Sequence, residues 1–345
     1  MNSEKMLEQA KELIKKESDI SSFSVSSLIP KDWIIREDSV WDYYLNEKTE
    51  SIKSAINSRL ISAMRKATKL KCINDGDCRI IFDYNKGEVS IQRNELFVFG
   101  RYKKLVVGLS QSRWKCNKCE GKGCEECDGK GKHYESVEER IGEPLKTACE
   151  ADDYILHASG REDVDATNSA GRIFVVAITN PKKRKLNLEK LADEIGKSKE
   201  VEVDGLRIVP RSFVEIVTES HFDKSYRAEI EFDDEIDKDR IKEIETLNGK
   251  TILQRTPKRV AHRRANLTRH RKIKNIKVLE SEGKKAIILI TAEAGTYIKE
   301  LISGDDGRTN PNIAEMFSTK AKCTALDVAE IDDGFIDFLL KIYPN

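Results

Sequence analysis

Apolar residues recur at helical spacing through Met6, Leu7, Ala10, Leu13 and Ile14, and again through Ile52, Ala55, Ile56, Leu60 and Met64. Each stripe predicts one helix. Strand-like runs follow at Cys78 to Tyr84 and Leu96 to Leu105, parted by the turn signal Asn85-Lys86-Gly87. Glu135 to about Asp152 reads as helix. Beyond it, strands are expected at Arg172 to Thr179, Val201 to Val209, Phe213 to Val217, Tyr226 to Phe232, Ile273 to Glu280 and Ala286 to Ala292. Helices fit Leu188 to Ile195 and Ile236 to Leu247. Strands outnumber helices and several alternate with period two, which favours an α+β fold on an antiparallel or mixed sheet over a doubly wound one.

Composition narrows the class. The chain has 345 residues, enough for two or three domains, with 39% hydrophobic and 35% charged positions. Its apolar runs are short, such as Ala286 to Ile290, against the ~18 residues of a membrane span. The N-terminal stretch is charged from residue 4 and has no apolar core, so no signal peptide is expected. Of eight cysteines, four fall between Cys116 and Cys127, which is not how a disulfide framework is spread. A reduced, cytoplasmic protein is expected.

The formal net charge of +1 would argue against a polyanionic partner, but it is an average over unlike parts. Arg255 to Lys277 holds ten Lys and Arg and no acid; the rest of the chain carries 51 bases against 60 acids, a balance of −9. A basic stripe on an acidic body predicts that a polyanion docks at one place. Arg255, Lys258, Arg259, Arg263, Arg264, Arg269 and Arg271 are the candidate contacts, to phosphate rather than to bases, because no groove-reading helix is indicated. Lys182-Lys183-Arg184-Lys185 is a smaller second candidate.

Residues 116 to 131 are a tandem octapeptide, CNKCEGKG and then CEECDGKG. Cys116, Cys119, Cys124 and Cys127 supply two CxxC pairs, and no His or carboxylate stands at matching spacing. Four thiolates make a closed tetrahedral site, so one structural zinc is expected. The same octapeptide resembles the zinc modules of J-domain co-chaperones, which carry four such repeats against two here.

Gly160-Arg161-Glu162-Asp163 resembles the loop of pseudouridine synthases in which the Asp is the nucleophile. Lys224-Ser-Tyr226-Arg-Ala-Glu-Ile230 is similar to the strand bearing their active-site Tyr, and Gly295-Thr-Tyr297-Ile-Lys299 to their Gly-Thr-Tyr-Ile-Arg/Lys motif. The order is the expected one. Leu109-Ser-Gln-Ser-Arg-Trp114, the CxxC pairs, Glu135-Ser-Val-Glu-Glu139, Gln254 to Arg264 and Gly307-Arg-Thr309 narrow the resemblance to the archaeal-type tRNA pseudouridine synthases of the tenth family, over roughly residues 95 to 330. That resemblance implies an accessory, THUMP-like RNA-binding domain at 1–110, matching at its end through Phe97 to Lys104, a zinc module at 111–135 and a catalytic domain at 136–345. It also implies conversion of uridine 55, and often uridine 54, in the T-loop of tRNA. No membrane or protein partner is implied.

Isomerising uridine breaks the N-glycosidic bond, turns the base and forms a carbon–carbon bond without redox change, so no catalytic cofactor is expected. Asp163 is the expected nucleophile or ribose stabiliser. Arg161 or another basic neighbour is expected to hold it ionised. Tyr226 would stack the extruded base and serve proton transfer. Tyr297 and Lys299 would contact substrate and Asp163, sharing one face of an extended segment. The chain departs from the family at Thr167 to Phe174, where an Arg and a Pro of the usual pattern are missing. That departure is the one feature favouring an alternative, a zinc-stabilised tRNA-binding or chaperone protein on the same fold with little catalysis.

Overall fold

A computed structural model of the chain describes residues 3–43, 50–261 and 264–342. The chain divides into two compact units. One comprises Met1–Val98, Gly142–Ile155 and Val176–Leu188; the other comprises Phe99–Ile141, Leu156–Val175 and Glu189–Asn345.

The N-terminal elements are α1 (Ser3–Lys16), β1 (Ser22–Leu28), α2 (Lys31–Trp41), α3 (Ile52–Thr68), β2 (Lys71–Cys72), β3 (Cys78–Asp83) and β4 (Glu88–Arg93). The four strands form a sheet ordered β2-β1-β3-β4, parallel between β1 and its neighbours and antiparallel between β3 and β4. Met6, Ala10 and Ile14 of α1 and Leu60 and Met64 of α3 bury against Phe23, Cys78, Ile80 and Phe82, so both predicted stripes are core faces. Ser51 caps α3, its side chain accepting from the Ser54 amide. The turn at Asn85-Lys86-Gly87 leads into β4, a strand not expected from the sequence.

In this unit Arg184, of the cluster at Lys182 to Lys185, is engaged internally. Arg184 meets Asp77 at 3.0 Å and donates to the Asn94 carbonyl at 2.7 Å. Lys183 pairs with Glu150 at 2.7 Å and Lys185 with Asp19 at 3.7 Å.

The chain continues through β5 (Leu96–Lys104), α4 (Val137–Cys149), β6 (Asp153–Ala158), β7 (Thr167–Thr179), α5 (Leu188–Gly196), β8 (Val201–Val209), α6 (Ser212–Glu219) and β9 (Lys224–Phe232). Then come β10 (Thr251–Arg255), β11 (Thr268–Glu282), β12 (Lys285–Ala292), α7 (Ile298–Ser303), β13 (Thr309–Asn310), α8 (Ile313–Phe317), β14 (Ala321–Ile331) and α9 (Gly334–Ile342). Among the described residues these strands form one sheet ordered β13-β10-β11-β12-β9-β14-β7-β5-β8, with β6 paired to β7. The run from β13 to β14 is antiparallel, and β14 meets β7 in parallel. The sheet is therefore mixed and the fold α+β, as the pattern predicted.

Alternation in β9 places Tyr226, Ala228, Ile230 and Phe232 on one buried face. They pack with Ile288 and Ile290 of β12 and with Ile298, Leu301 and Ile302 of α7. Two expectations are corrected. Phe213 to Val217 is not a strand but lies in α6, because Phe213 and Val217 are four apart and bury together on a helix face. The predicted helix near Ile236 to Leu247 is a 3-10 helix at Arg240–Leu247, whose buried Ile241, Ile244 and Leu247 recur every third residue.

Candidate active site

Strand β6 ends at Ala158, and the chain turns through Gly160 to Asp163 before β7 begins at Thr167. Glycine is required at 160. Its φ is +78°, and a Cβ there would stand 3.2 Å from Arg172 Nη1. The loop is held from below by polar groups that its own sequence does not reveal. Glu162 turns inward, accepting from the Tyr102 hydroxyl at 2.8 Å and from Arg172 Nε at 2.8 Å. Lys104, fully buried, donates to the Asp163 and Val164 carbonyls at 3.0 and 3.1 Å. Gln111 donates to the Gly160 carbonyl at 2.9 Å and to the Tyr102 hydroxyl at 2.8 Å.

With Glu162 turned inward, the neighbouring Asp163 lines an open cleft of roughly 350 Å³ with Arg172, Lys224, Tyr226, Arg259 and Lys299. Its Oδ2 lies 2.7 Å from Arg259 Nη1 and 3.5 Å from Lys299 Nζ. Arg259 is a two-sided clamp, because its Nε also meets the buried Glu300 carboxylate at 2.7 Å. Burial works against the Arg259 charge, but Glu300 and Asp163 overcome it and raise its pKa further. Lys299 also pairs with Asp165 at 2.5 Å. Asp163 is thus an acceptor facing two cations at the cleft.

Arg161, by contrast, lies over the Trp114 ring, 4.4 Å from its centroid. The basic neighbour expected for Asp163 is Arg259, drawn from the stripe assigned to RNA. Tyr226 lies on β9, 9% exposed, with burial pushing its hydroxyl up to about 12 against the opposing Arg172 charge. That hydroxyl stays protonated near neutrality. Tyr297 and Lys299 do not share an extended segment. Tyr297 is the cap residue of α7 and Lys299 lies inside the helix, because Gln254 clamps the Tyr297 backbone, accepting from its amide and donating to its carbonyl, both at 2.9 Å.

The rest of the stripe divides by location. Arg255 ends β10 and bonds Asn266 Oδ1 at 2.9 Å; exposed Lys258 pairs with Asp306. Arg264 is exposed at the cleft. Arg269 donates to Thr256 Oγ1 at 3.1 Å, and Arg271 packs over Gly295. Arg263 lies outside the described residues. The departure at Thr167 to Phe174 forms the first part of β7 and supplies the buried Arg172.

The four cysteines form a second centre. Their Sγ atoms all lie within 4.8 Å of one another, with Cys116–Cys124 at 3.9 Å, Cys119–Cys127 at 3.8 Å and Cys124–Cys127 at 3.7 Å. A tetrahedron of thiolates with metal–sulfur bonds of ~2.3 Å has edges of about 3.8 Å, so the four could hold one metal ion. Gly123 and Gly131 are obligatory. Both have positive φ, and a Cβ would meet the Gly129 and Gly121 carbonyl oxygens at 2.5 and 2.4 Å. The Gly123 and Gly131 amides donate to Cys119 and Cys127 sulfur at 3.2 Å.

A family model described as "Pus10, C-terminal" matches residues 97–332. Curated relatives named "tRNA pseudouridine synthase Pus10" align over most of the chain. That of Korarchaeum cryptofilum is 38% identical across 91% of this chain and 86% of its own length. Those of Methanocaldococcus jannaschii and Archaeoglobus fulgidus are 39% and 38% identical, across 96% and 94% of this chain and 73% and 91% of theirs. Among solved structures, a Cbf5-Nop10-Gar1 complex aligns with TM-score 0.33 at 20% identity, over 53% of this chain and 41% of that one. A pseudouridylate synthase aligns with TM-score 0.24 at 12% identity, over 81% and 86%. Family membership rests on the sequence matches. The class is that of the tRNA pseudouridine synthases, which are isomerases. Within that class, the chain belongs to the Pus10 family.

Proposed function

We propose that the protein isomerises uridine 55 in the T-loop of tRNA to pseudouridine, with uridine 54 as a second target. The observation that carries the reading is the Asp163 carboxylate, presented to the cleft between Arg259 and Lys299 with Tyr226 in the same cleft. Asp163 acts on C1′ of a nucleotide flipped out of the T-loop, as covalent nucleophile or as counter-charge to the ribose. Arg259 and Lys299 pair with its carboxylate and fix its direction. Tyr226 gives the base a flat wall, and its hydroxyl serves as donor. Tyr297 and Arg161 contact the nucleotides on either side.

Arg255, Lys258, Arg264, Arg269 and Arg271, with Arg263, take the phosphates of the T arm. The cysteine module at 111–135 holds one zinc, whose chemistry is structural, since all four positions are filled by thiolates. Residues 1–110 serve as a THUMP-like accessory RNA-binding domain beside a catalytic region at 136–345. No further cofactor is required, because the reaction is redox-neutral. The test is to incubate protein with an unmodified tRNA transcript and map pseudouridine by chemical labelling. Signal at 55, or at 54 and 55, supports the reading. Tight tRNA binding with no pseudouridine would favour a binding or chaperone role instead.

A further inference from the structure

The cations of the cleft differ in what neutralises them. Arg172 is matched by Glu162, and Arg259 and Lys299 are matched by Asp163, Glu300 and Asp165. Lys224 is not matched. It is 8% exposed, and it lines the cleft together with Asp163 and Tyr226. Its Nζ donates to the Phe222 carbonyl at 2.8 Å, and among the described residues it makes no ion pair. The acids whose field reaches it, Asp223 and Asp333, are engaged by Lys274 and Arg101 respectively. Lys224 and Tyr226 stand two apart on β9 and so project from one face of the strand.

A buried ammonium without its own counter-charge is costly to keep. In a cleft built for a reaction, the cost is offset when negative charge arrives with the substrate. We propose that Lys224 is a further catalytic residue, whose ammonium contacts the uracil ring as it detaches and balances the charge that ring carries before the new bond forms. The inference rests on the reading of Asp163 given above.

The chemistry requires such a partner. When C1′–N1 breaks, the bonding pair stays with the uracil, which becomes anionic over N1, O2 and O4. The new C1′–C5 bond uses a ring π pair, the C5 proton leaves to water and N1 takes one up. Atoms and electrons balance with no oxidant. Lys224 donates a hydrogen bond throughout and transfers nothing. Asp163 cannot supply this stabilisation, since it is itself an anion serving the ribose.

The titratable and charged groups that line the cleft with Lys224 are Arg161, Glu162, Asp163, Arg172, His221, Tyr226, Arg259, Arg264, Tyr297 and Lys299, and Asp223 and Asp333 also act on it. Burial is the main cause that lowers Lys224 to about 8; Arg172 adds to it, and Asp223 and Asp333 oppose it. The sign follows for both rate and stability. The reacting form is the ammonium, so the rate falls as pH rises through about 8. In the unfolded chain the group titrates near ~10.4, so between these values the unfolded state holds the extra proton and stability rises with pH. At pH 7 the folded protein therefore bears the cost of the buried charge, and Lys224→Met relieves it.

The test compares wild type, Lys224→Met, Lys224→Arg and Asp163→Ala in single-turnover pseudouridine formation on a tRNA transcript, with tRNA affinity and melting temperature measured alongside. Lys224→Met is expected to slow the reaction about 100-fold or more. Its tRNA affinity should be unchanged and its melting temperature at pH 7 no lower than that of wild type. The alkaline fall near pH 8 should disappear in Lys224→Met and move upward in Lys224→Arg. Wild-type rate in Lys224→Met overturns the proposal, as does a rate loss that follows a lowered melting temperature or is confined to tRNA affinity. An inactive wild type, indistinguishable from Asp163→Ala, overturns the underlying reading itself.

Discussion

The Glu162 carboxylate and the Arg172 guanidinium meet at 2.8 Å, each with 1% of its side chain exposed, one residue away from Asp163. Asp163 is therefore anchored through its neighbour. Breaking one partner of a buried pair leaves the other charge unmatched, at a cost of about 3–5 kcal/mol. Glu162→Gln should lose about 3 kcal/mol or more of unfolding free energy in denaturant melts. Its turnover should fall as well, because the loop loses its register. A loss below about 1 kcal/mol would show that the pair does not hold the loop.

Arg259 bridges Asp163 and Glu300, its Nη1 on one carboxylate and its Nε on the other. Glu300 is 4% exposed and offers nothing to RNA. Glu300→Gln should lower the single-turnover rate by about tenfold through misdirection of Arg259, with tRNA affinity within about twofold. A loss of affinity with the rate intact would place Arg259 on RNA rather than on Asp163.

Phosphate contacts release counterions, so tRNA affinity should fall steeply with salt. Arg264→Gln, at an exposed position on the cleft, should weaken binding and reduce the slope of log affinity against log salt by about 1. Arg184→Gln should leave that slope unchanged and lower stability instead, since Arg184 is consumed by Asp77 and two backbone carbonyls. Filter binding across a salt series separates the two outcomes.

For the cysteine centre, elemental analysis should find about one zinc per chain, lost when Cys116→Ser and Cys119→Ser are combined. The double variant should also melt earlier, because the tandem turns are closed mainly around the sulfurs. Full zinc content in that variant would put the metal elsewhere.

The parts legible in the sequence were those whose signal is local. Period-two alternation in β9 and the helical stripe of α1 each bury one face, and the CxxC spacing carries its geometry with it. Phe213 and Val217 misled because a separation of four fits period two and the helical period alike; their packing decides for a helix. Strand β1 was passed over because Ser22, Ser24 and Ser27 are polar, yet all three are buried between paired strands. In the candidate site, the motifs single out Asp163 and Tyr226, and both line one cleft. Glu162, Lys104 and Arg172 were not singled out. A charged residue reads as solvated until its partner, ten or sixty positions away, is brought against it. Tyr297 and Lys299 also line the cleft, but the shared extended face expected for them is wrong, since the Gln254 clamp that starts α7 is likewise distant in sequence.

If Asp163 initiates isomerisation of a T-loop uridine, the departure of the C5 hydrogen reports it directly. Transcripts labelled with tritium at uridine C5 should release about one or two equivalents of tritium to water per tRNA with the wild-type protein, according to whether 55 alone or 54 and 55 react. Asp163→Asn should bind the same transcript and release none. Release by Asp163→Asn at the wild-type rate would contradict the account.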